Sequence, residues 1–241
     1  GTFLAIMLGT LGGAMMIHLE LPMMYIGLQL FCIALLGLLT SFFIPPIPLG
    51  SKRLTINFNW LVEMKRLYAY SHDNERVFKA ILGIAWFWLV GTIILSQLPS
   101  LAKGVLNVEE QVFILLLLLF TLGIGLGSIL CNKLLKGEVS TRFVPFLSFL
   151  LIPFLFDLAS FNAPMGGGAL SLSSFLMSFQ GLHLAFDILR LSFIGGLYIV
   201  PLYAFIQSQV FHSRRSQIMA FSSILNAGFM VMASVLSFCL L

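Results

Sequence analysis

Apolar stretches of about 18 to 25 residues recur along the chain, and each is long enough to cross about 30 Å of hydrocarbon as a helix. A membrane helix also satisfies its own backbone hydrogen bonds. The composition agrees, because 59% of the 241 residues are hydrophobic, 9% are charged and the mean hydropathy is +1.04. We therefore predict an all-α, polytopic membrane protein. The seven predicted spans are 1–18, 22–44, 77–98, 110–131, 143–160, 183–208 and 216–241.

Basic residues alternate between the connections that join these spans. Lysine and arginine accumulate in the cytoplasmic loops of membrane proteins. Three connections hold eleven of the thirteen basic residues, and we predict that they are cytoplasmic: 45–79, 131–142 and 209–217. The opposite connections, 18–22, 98–109 and 161–182, hold only Lys103. This asymmetry beside an anionic leaflet explains the net charge of +4, so we expect membrane lipids as partners and no nucleic acid.

The longest polar segment follows the helix breaker "PPIP" and separates the first two spans from the other five. We take 45–76 as a cytoplasmic loop between two domains, 1–44 and 77–241. Apolar residues at helical spacing beside two cations predict an interfacial amphipathic helix there, and a solvated linker helix is the alternative. The residues of that pattern are Leu54, Phe58, Leu61, Val62, Lys65 and Arg66.

Both chain ends are apolar: the chain begins at Gly1 and ends on "LSFCLL". We therefore expect it to be a piece of a longer polypeptide. Cys32, Cys131 and Cys239 lie in or near predicted spans without the spacing of a metal site or a disulfide framework. We expect no metal, no disulfide and no cofactor.

The sixth span contains charged residues in the stretch "DILRLSFIGGLYIVPLYAFIQ", residues 187–207. Asp187 and Arg190 are three residues apart and share a helix face. An unpaired charge within a span costs from about 2.5 to more than 10 kcal/mol, so it indicates a cavity or a partner helix. Asp157, near the outer end of the preceding span, can reach the same depth. We predict that these three residues line an aqueous or headgroup-filled cavity; a structural salt bridge near the interface is the alternative.

Trp88 is a fourth candidate, in the third span with Thr92 and Gln97. These side chains could line a transport pathway, or the tryptophan could anchor the helix at the membrane interface. His183 and Asp187 bracket three residues, whereas the glycerolipid acyltransferase signature needs four between its histidine and aspartate. We therefore predict that this chain is not an enzyme.

The stretch "TLGIGLGSILCNKLLKGEV" contains Gly123, Gly125 and Gly127 near the cytoplasmic end of a span. Small residues allow close helix packing, which by itself explains these glycines. The order of features also resembles the loop signature of the major facilitator superfamily, with Cys131 or Asn132 where that signature has an acid.

Four stretches together resemble one family: "ERVFKAILGIAWFWLVGTIILSQLPSLAKGVL", "GIGLGSILCNKLLKGEV", "FIGGLYIVPLYAFIQSQ" and "SQIMAFSSILNAGFMV". They are similar to the lysophospholipid transporters of the major facilitator superfamily, which Gram-negative bacteria carry alone or fused to acyltransferase domains. The glycine pair followed by "IVPLYAFIQ" is the most specific element. The resemblance covers residues 51–241 and, less distinctly, the first two spans.

This resemblance implies a fold of twelve helices, of which the chain would supply helices five to eleven. Residues 1–44 would be the last two helices of the N-terminal bundle, 45–76 the central loop, and 77–241 the C-terminal bundle without its last helix. It also implies alternating access, so a piece of this length should not transport alone.

The implied function is movement of lysophosphatidylethanolamine across the bacterial inner membrane for reacylation by a fused or associated acyltransferase. A zwitterionic headgroup needs both signs of charge, which Asp157, Asp187 and Arg190 could supply. We considered three alternatives: an efflux or solute carrier of the same fold, the membrane part of an acyltransferase fusion, and a scaffold with a degenerate transporter fold.

Overall fold

A computed structural model describes most of the chain, and its described residues form helices and connections without a β-strand. The described residues are 5, 8–9, 11–13, 15–16, 19, 21–45, 59–102, 106, 108–135, 138–161, 171–210 and 214–240. Within them the helices are α1 (Met23–Ser41), α2 (Trp60–His72), α3 (Glu75–Ser100), α4 (Glu110–Leu134), α5 (Val144–Ala159), α6 (Leu172–Met177), α7 (Phe179–Gln209) and α8 (Arg215–Leu240).

Five of these helices, α1, α3, α4, α7 and α8, are long and apolar enough to cross a membrane. This is the architecture predicted for a polytopic α-helical membrane protein. The apolar helix α5 has 16 residues and is shorter than each of these five helices. The predicted span 1–18 falls largely outside the described residues. The sidedness of the loops stays a prediction.

Helix α7 begins four residues before the predicted start of its span, because Ser178 caps it. The Ser178 hydroxyl accepts a hydrogen bond from the Gly181 amide at 3.0 Å, which satisfies one of the free amides at the helix start. The short helix α6 directly precedes this cap, inside a segment predicted as a loop. The earlier start places His183 inside α7, one turn before Asp187.

Helix α7 is the centre of the packing and contacts α3, α4, α5 and α6. Its closest neighbour is α4, where a methyl group at Gly123, Gly127 or Gly196 would overlap the opposite helix. For Gly127 the obstacle is the Phe193 carbonyl, and for Gly196 it is the Ile124 carbonyl. Close packing therefore accounts for these three glycines.

Helix α2 lies in the predicted loop, where the sequence predicts an interfacial amphipathic helix or a solvated linker helix. Leu67 is buried against α3 and α8, whereas Leu61 and Val62 remain exposed. An interfacial helix exposes its apolar face to the membrane, so the choice between the two kinds of helix stays a prediction. Leu54 and Phe58 lie outside the described residues.

Helix α1 differs from the others because none of its residues is buried. The proposed division of the chain at 45–76 stays a prediction, and residues 46–58 lie outside the described part of the chain.

Candidate functional site

Four charged or titratable side chains meet where the first three turns of α7 cross the end of α5. Asp187 lies four residues after His183, and Arg190 lies three residues after Asp187. The three side chains therefore share one face of α7. Asp157, in the last turn of α5, lies opposite them. We call this group the charged cluster. It contains the three residues predicted from the sequence, together with one that was not predicted.

Arg190 connects the two aspartates of the charged cluster. Its Nη2 atom donates a hydrogen bond to Asp187 Oδ1 and lies 3.6 Å from Asp157 Oδ2. His183 makes a second connection: Nε2 is 3.4 Å from Asp157 Oδ2, and Nδ1 is 3.6 Å from Asp187 Oδ2. Both links therefore join α5 to α7.

The charged cluster is closed on one side and open on the other. The Asp187 side chain is 1% exposed, whereas those of Arg190, His183 and Asp157 are 30%, 37% and 39% exposed. Within the described residues, Asp187 Oδ2 and Arg190 Nε are buried and form no hydrogen bond. Buried polar atoms are nearly always hydrogen-bonded. One acceptor and one donor are therefore without a hydrogen-bond partner among the described residues, in a cluster whose other side chains are partly exposed.

Aromatic rings lie near the Arg190 guanidinium and the His183 ring. The Arg190 guanidinium lies 4.8 Å from the ring centre of Phe154 and 4.6 Å from that of Phe186. The His183 ring stacks with Phe161 at 6.4 Å and with Phe179 at 6.2 Å. Ring faces attract cations, so Phe154 and Phe186 stabilise the positive charge of Arg190 in a mostly apolar setting.

Asp157, His183 and Asp187 also offer oxygen, nitrogen and oxygen donors within 4.8 Å of one another. This set does not fit a divalent cation. The Arg190 guanidinium already pairs with Asp187 and lies beside Asp157, and would repel a second cation at that distance. The two ring nitrogens of His183 also face different carboxylates, and a single ion can bind only one of those nitrogens.

An apolar cavity of about 340 Å³ lies between the ends of α3 and α5. Leu155 and Leu158 line it and flank Asp157 in the sequence, so the turns that carry the carboxylate also form the cavity wall. Ile94 lines this cavity and also a smaller one of about 30 Å³ deeper between the helices. Apolar volume and charge are thus adjacent on α5.

Trp88, the fourth predicted residue, lies in another group and has no contact with the charged cluster among the described interactions. Its indole Nε1 donates a hydrogen bond to the Tyr203 hydroxyl at 3.2 Å. Asn226 Nδ2 approaches the same hydroxyl at 3.5 Å. These contacts join α3, α7 and α8, which is typical of polar residues that hold membrane helices together.

His183 is the residue that the sequence analysis missed. Three residues separate it from Asp187, one fewer than the acyltransferase signature requires. The helical i, i+4 relation, together with a helix start before residue 183, was the signal that could have included it.

With a neutral imidazole, the two carboxylates and one guanidinium give the cluster a net charge of −1. Such a site can bind a group that carries a cation together with an anion. Comparison with protein-family models, curated proteins and solved structures finds no match to this chain.

Proposed function

We propose that the chain is part of a membrane transporter of the major facilitator superfamily that moves lysophosphatidylethanolamine-like lipids across the bacterial inner membrane. The observation that carries this proposal is the charged cluster, in which both signs of charge meet at the end of an apolar helical bundle. A lipid headgroup with a phosphate and an ammonium needs such a pair of charges.

In this proposal the phosphate binds Arg190, whose Nε atom forms no hydrogen bond within the described residues. Arginine suits a phosphate because its planar group donates several hydrogen bonds. The ammonium binds Asp157 and the Oδ2 atom of Asp187, which forms no hydrogen bond among the described residues. Charge-assisted hydrogen bonds to both parts would orient the headgroup at the opening of the cluster.

The apolar cavity beside Asp157 supports a lipid rather than a polar solute. Its wall consists mainly of leucine and isoleucine side chains of α3 and α5. A carrier for a polar solute would need a closed polar cavity with several buried acids. Among the described acidic residues, Asp187 alone is buried.

The proposed fold makes α3, α4, α5, α7 and α8 helices seven to eleven of twelve, and assigns α1 to the other bundle. The absence of buried residues in α1 is compatible with a partner bundle. Transport then proceeds by movement of the two bundles around a lipid bound between them. The lipid delivered to the inner leaflet is the substrate for reacylation by a fused or associated acyltransferase.

The test is transport by the full-length protein in proteoliposomes, with fluorescent lysophosphatidylethanolamine. We expect wild-type protein to move the lipid and Arg190→Ala to reduce the rate about tenfold, which corresponds to about 1.4 kcal/mol of lost stabilisation. Arg66→Ala is the matched control, because Arg66 is an exposed arginine on α2 that pairs with Glu63. It should transport at the wild-type rate.

Unchanged transport by Arg190→Ala would show that the charged cluster is a structural salt bridge and does not bind the lipid. Absence of transport by the wild-type protein, with a folded sample, would refute the proposed function.

A further inference from the structure

Another cavity lies toward the opposite end of α7 from the charged cluster. It has a volume of about 480 Å³, is bounded by α3, α5 and α7, and has Arg76 and Lys79 in its lining. We call it the basic cavity. Leu202 lines it and lies 15 residues after Asp187 along α7. At 1.5 Å per residue this separation is about 22 Å, so the basic cavity and the charged cluster are two separate sites.

The wall of the basic cavity is mainly apolar. Ala80 belongs to α3, Val144 and Pro145 belong to α5, and Leu202 and Phe205 belong to α7. Apolar surface gains free energy when it leaves water for a hydrocarbon neighbour. The wall therefore suits an acyl chain better than a free inorganic ion.

The charge of the basic cavity is positive. Arg76 and Lys79 are both exposed, and none of the described residues that line the cavity is acidic. The Arg76 side chain forms no ion pair and no hydrogen bond among the described residues. Lys79 Nζ lies 2.7 Å from Glu75 Oε1, but both side chains are more than 70% exposed. Such exposed pairs contribute little, so this ammonium can exchange its partner for another anion.

The position of the basic cavity favours an anion as well. Arg76 and Lys79 belong to the connection 45–79, and Thr141, which also lines the cavity, belongs to 131–142. Both connections are predicted to be cytoplasmic. The cytoplasmic leaflet carries anionic lipids, and basic pockets between membrane helices on that side bind their headgroups. The first residues of α5 also line the cavity, and the peptide dipoles at a helix start attract negative charge.

We propose that the basic cavity binds an anionic phospholipid, with its phosphate at Arg76 and Lys79 and an acyl chain against the wall formed by α5 and α7. The arginine donates paired hydrogen bonds to phosphate oxygens, and the lysine adds a compact positive charge. The bound lipid contacts three helices and so connects α3 to α5 and α7. This proposal does not rest on the proposed function, because its residues lie outside the charged cluster.

The test measures binding of acyl-labelled phosphatidylglycerol to the full-length protein in detergent micelles, with phosphatidylcholine of the same chains as the reference. We expect wild-type protein to prefer phosphatidylglycerol. The double variant Arg76→Gln, Lys79→Gln should lose this preference, with an affinity for phosphatidylglycerol about tenfold lower. Both side chains are exposed, so the variant should melt at the wild-type temperature without added lipid.

The matched control is the double variant Lys65→Gln, Lys133→Gln. It removes the same amount of charge from the same predicted side, at two exposed lysines that do not line the basic cavity. It should keep the wild-type affinity for phosphatidylglycerol. Equal losses in the two double variants would show a general surface attraction and overturn the site, as would wild-type affinity in both.

Two further measurements separate this site from other anion sites. Arg190→Ala should keep the preference for phosphatidylglycerol, and its loss there would place the lipid at the charged cluster and overturn the proposal. Inorganic phosphate at the same concentration should not displace the labelled lipid, because it has no acyl chain for the apolar wall. Displacement would show a site for soluble phosphate instead. A protein that binds phosphatidylglycerol in this way but moves no lysophospholipid would refute the proposed function alone.

Discussion

The two halves of α7 contrast in how their polar atoms are satisfied. In the glycine-packed half, which faces α4 and α3 between Ser192 and Pro201, each buried hydroxyl has a partner. Ser192 donates to the Ile188 carbonyl at 2.7 Å, and Tyr198 donates to the Gly83 carbonyl at 3.1 Å. In the charged half, by contrast, Asp187 and Arg190 each keep a buried polar atom without a hydrogen bond among the described residues.

This difference separates packing from binding on a single helix. The glycine-packed half is complete within the protein, because backbone meets backbone and the hydroxyl groups are paired. Among the described residues, the charged half keeps an acceptor and a donor without a hydrogen bond, and its arginine is partly exposed. Substitutions in the first half should therefore change stability alone, whereas those in the second half should also change ligand binding.

The largest effect is expected at the α4–α7 contact. Gly127→Ala places a methyl group into the Phe193 carbonyl, so the two helices must separate. We expect a loss of about 3 kcal/mol in the free energy of unfolding, at the upper end for overpacked cores. Thermal unfolding in detergent measures it.

Gly125→Ala is the control for this prediction on the same helix. Apart from its own stretch of α4, no atom lies within 4 Å of a methyl group at Gly125. This variant should therefore be as stable as the wild type or up to about 1 kcal/mol more stable. Equal melting temperatures for the two alanine variants would contradict the close contact.

A smaller loss of stability is expected at the buried aspartate of the charged half. Asp187→Asn removes the negative partner of Arg190 and leaves the guanidinium with Asp157 alone. Breaking a fully buried pair costs about 3 to 5 kcal/mol, but Arg190 is partly exposed, so we expect about 2 kcal/mol. Denaturant unfolding of the wild type and the variant measures this loss. Equal free energies of unfolding would show that the pair is not desolvated.

The smallest change in stability is expected at Asp157. A variant at this position separates stability from ligand binding most clearly. Its carboxylate is 39% exposed, and exposed ion pairs contribute less than about 1 kcal/mol. Asp157→Asn should therefore fold normally, yet its transport of lysophosphatidylethanolamine should fall about tenfold if the carboxylate binds the ammonium. Proteoliposome rates normalised to folded protein give the answer. A proportional loss of folding and transport would indicate a structural role.

The sequence was sufficient for the features that depend on neighbouring residues. Apolar length predicted the five helices that are long and apolar enough to cross a membrane, and the i, i+3 relation predicted the pair of Asp187 and Arg190. The contact between Asp157 and Arg190 could be predicted as well, because residues at the same membrane depth in consecutive spans can lie close together.

Features that depend on the register between helices could not be predicted in this way. Gly123, Gly125 and Gly127 look alike in the sequence, but Gly125 faces open space while the other two meet α7. Trp88 was a pathway candidate, and its bond to Tyr203 joins residues 115 positions apart. His183 is different, because it lies in the predicted span 183–208 and its i, i+4 relation to Asp187 was a signal in the sequence.

The central claim is that the charged half of α7 binds a zwitterionic headgroup, and ligand-induced stabilisation of the full-length protein tests it most directly. A ligand at about a hundred times its dissociation constant adds about 2.7 kcal/mol to stability. Lysophosphatidylethanolamine should therefore raise the melting temperature of wild type by about 3 °C. Arg190→Ala should show little increase, and monoacylglycerol with the same acyl chain should give little increase with either protein. An equal increase in wild type and Arg190→Ala, or with both lipids, would contradict the claim.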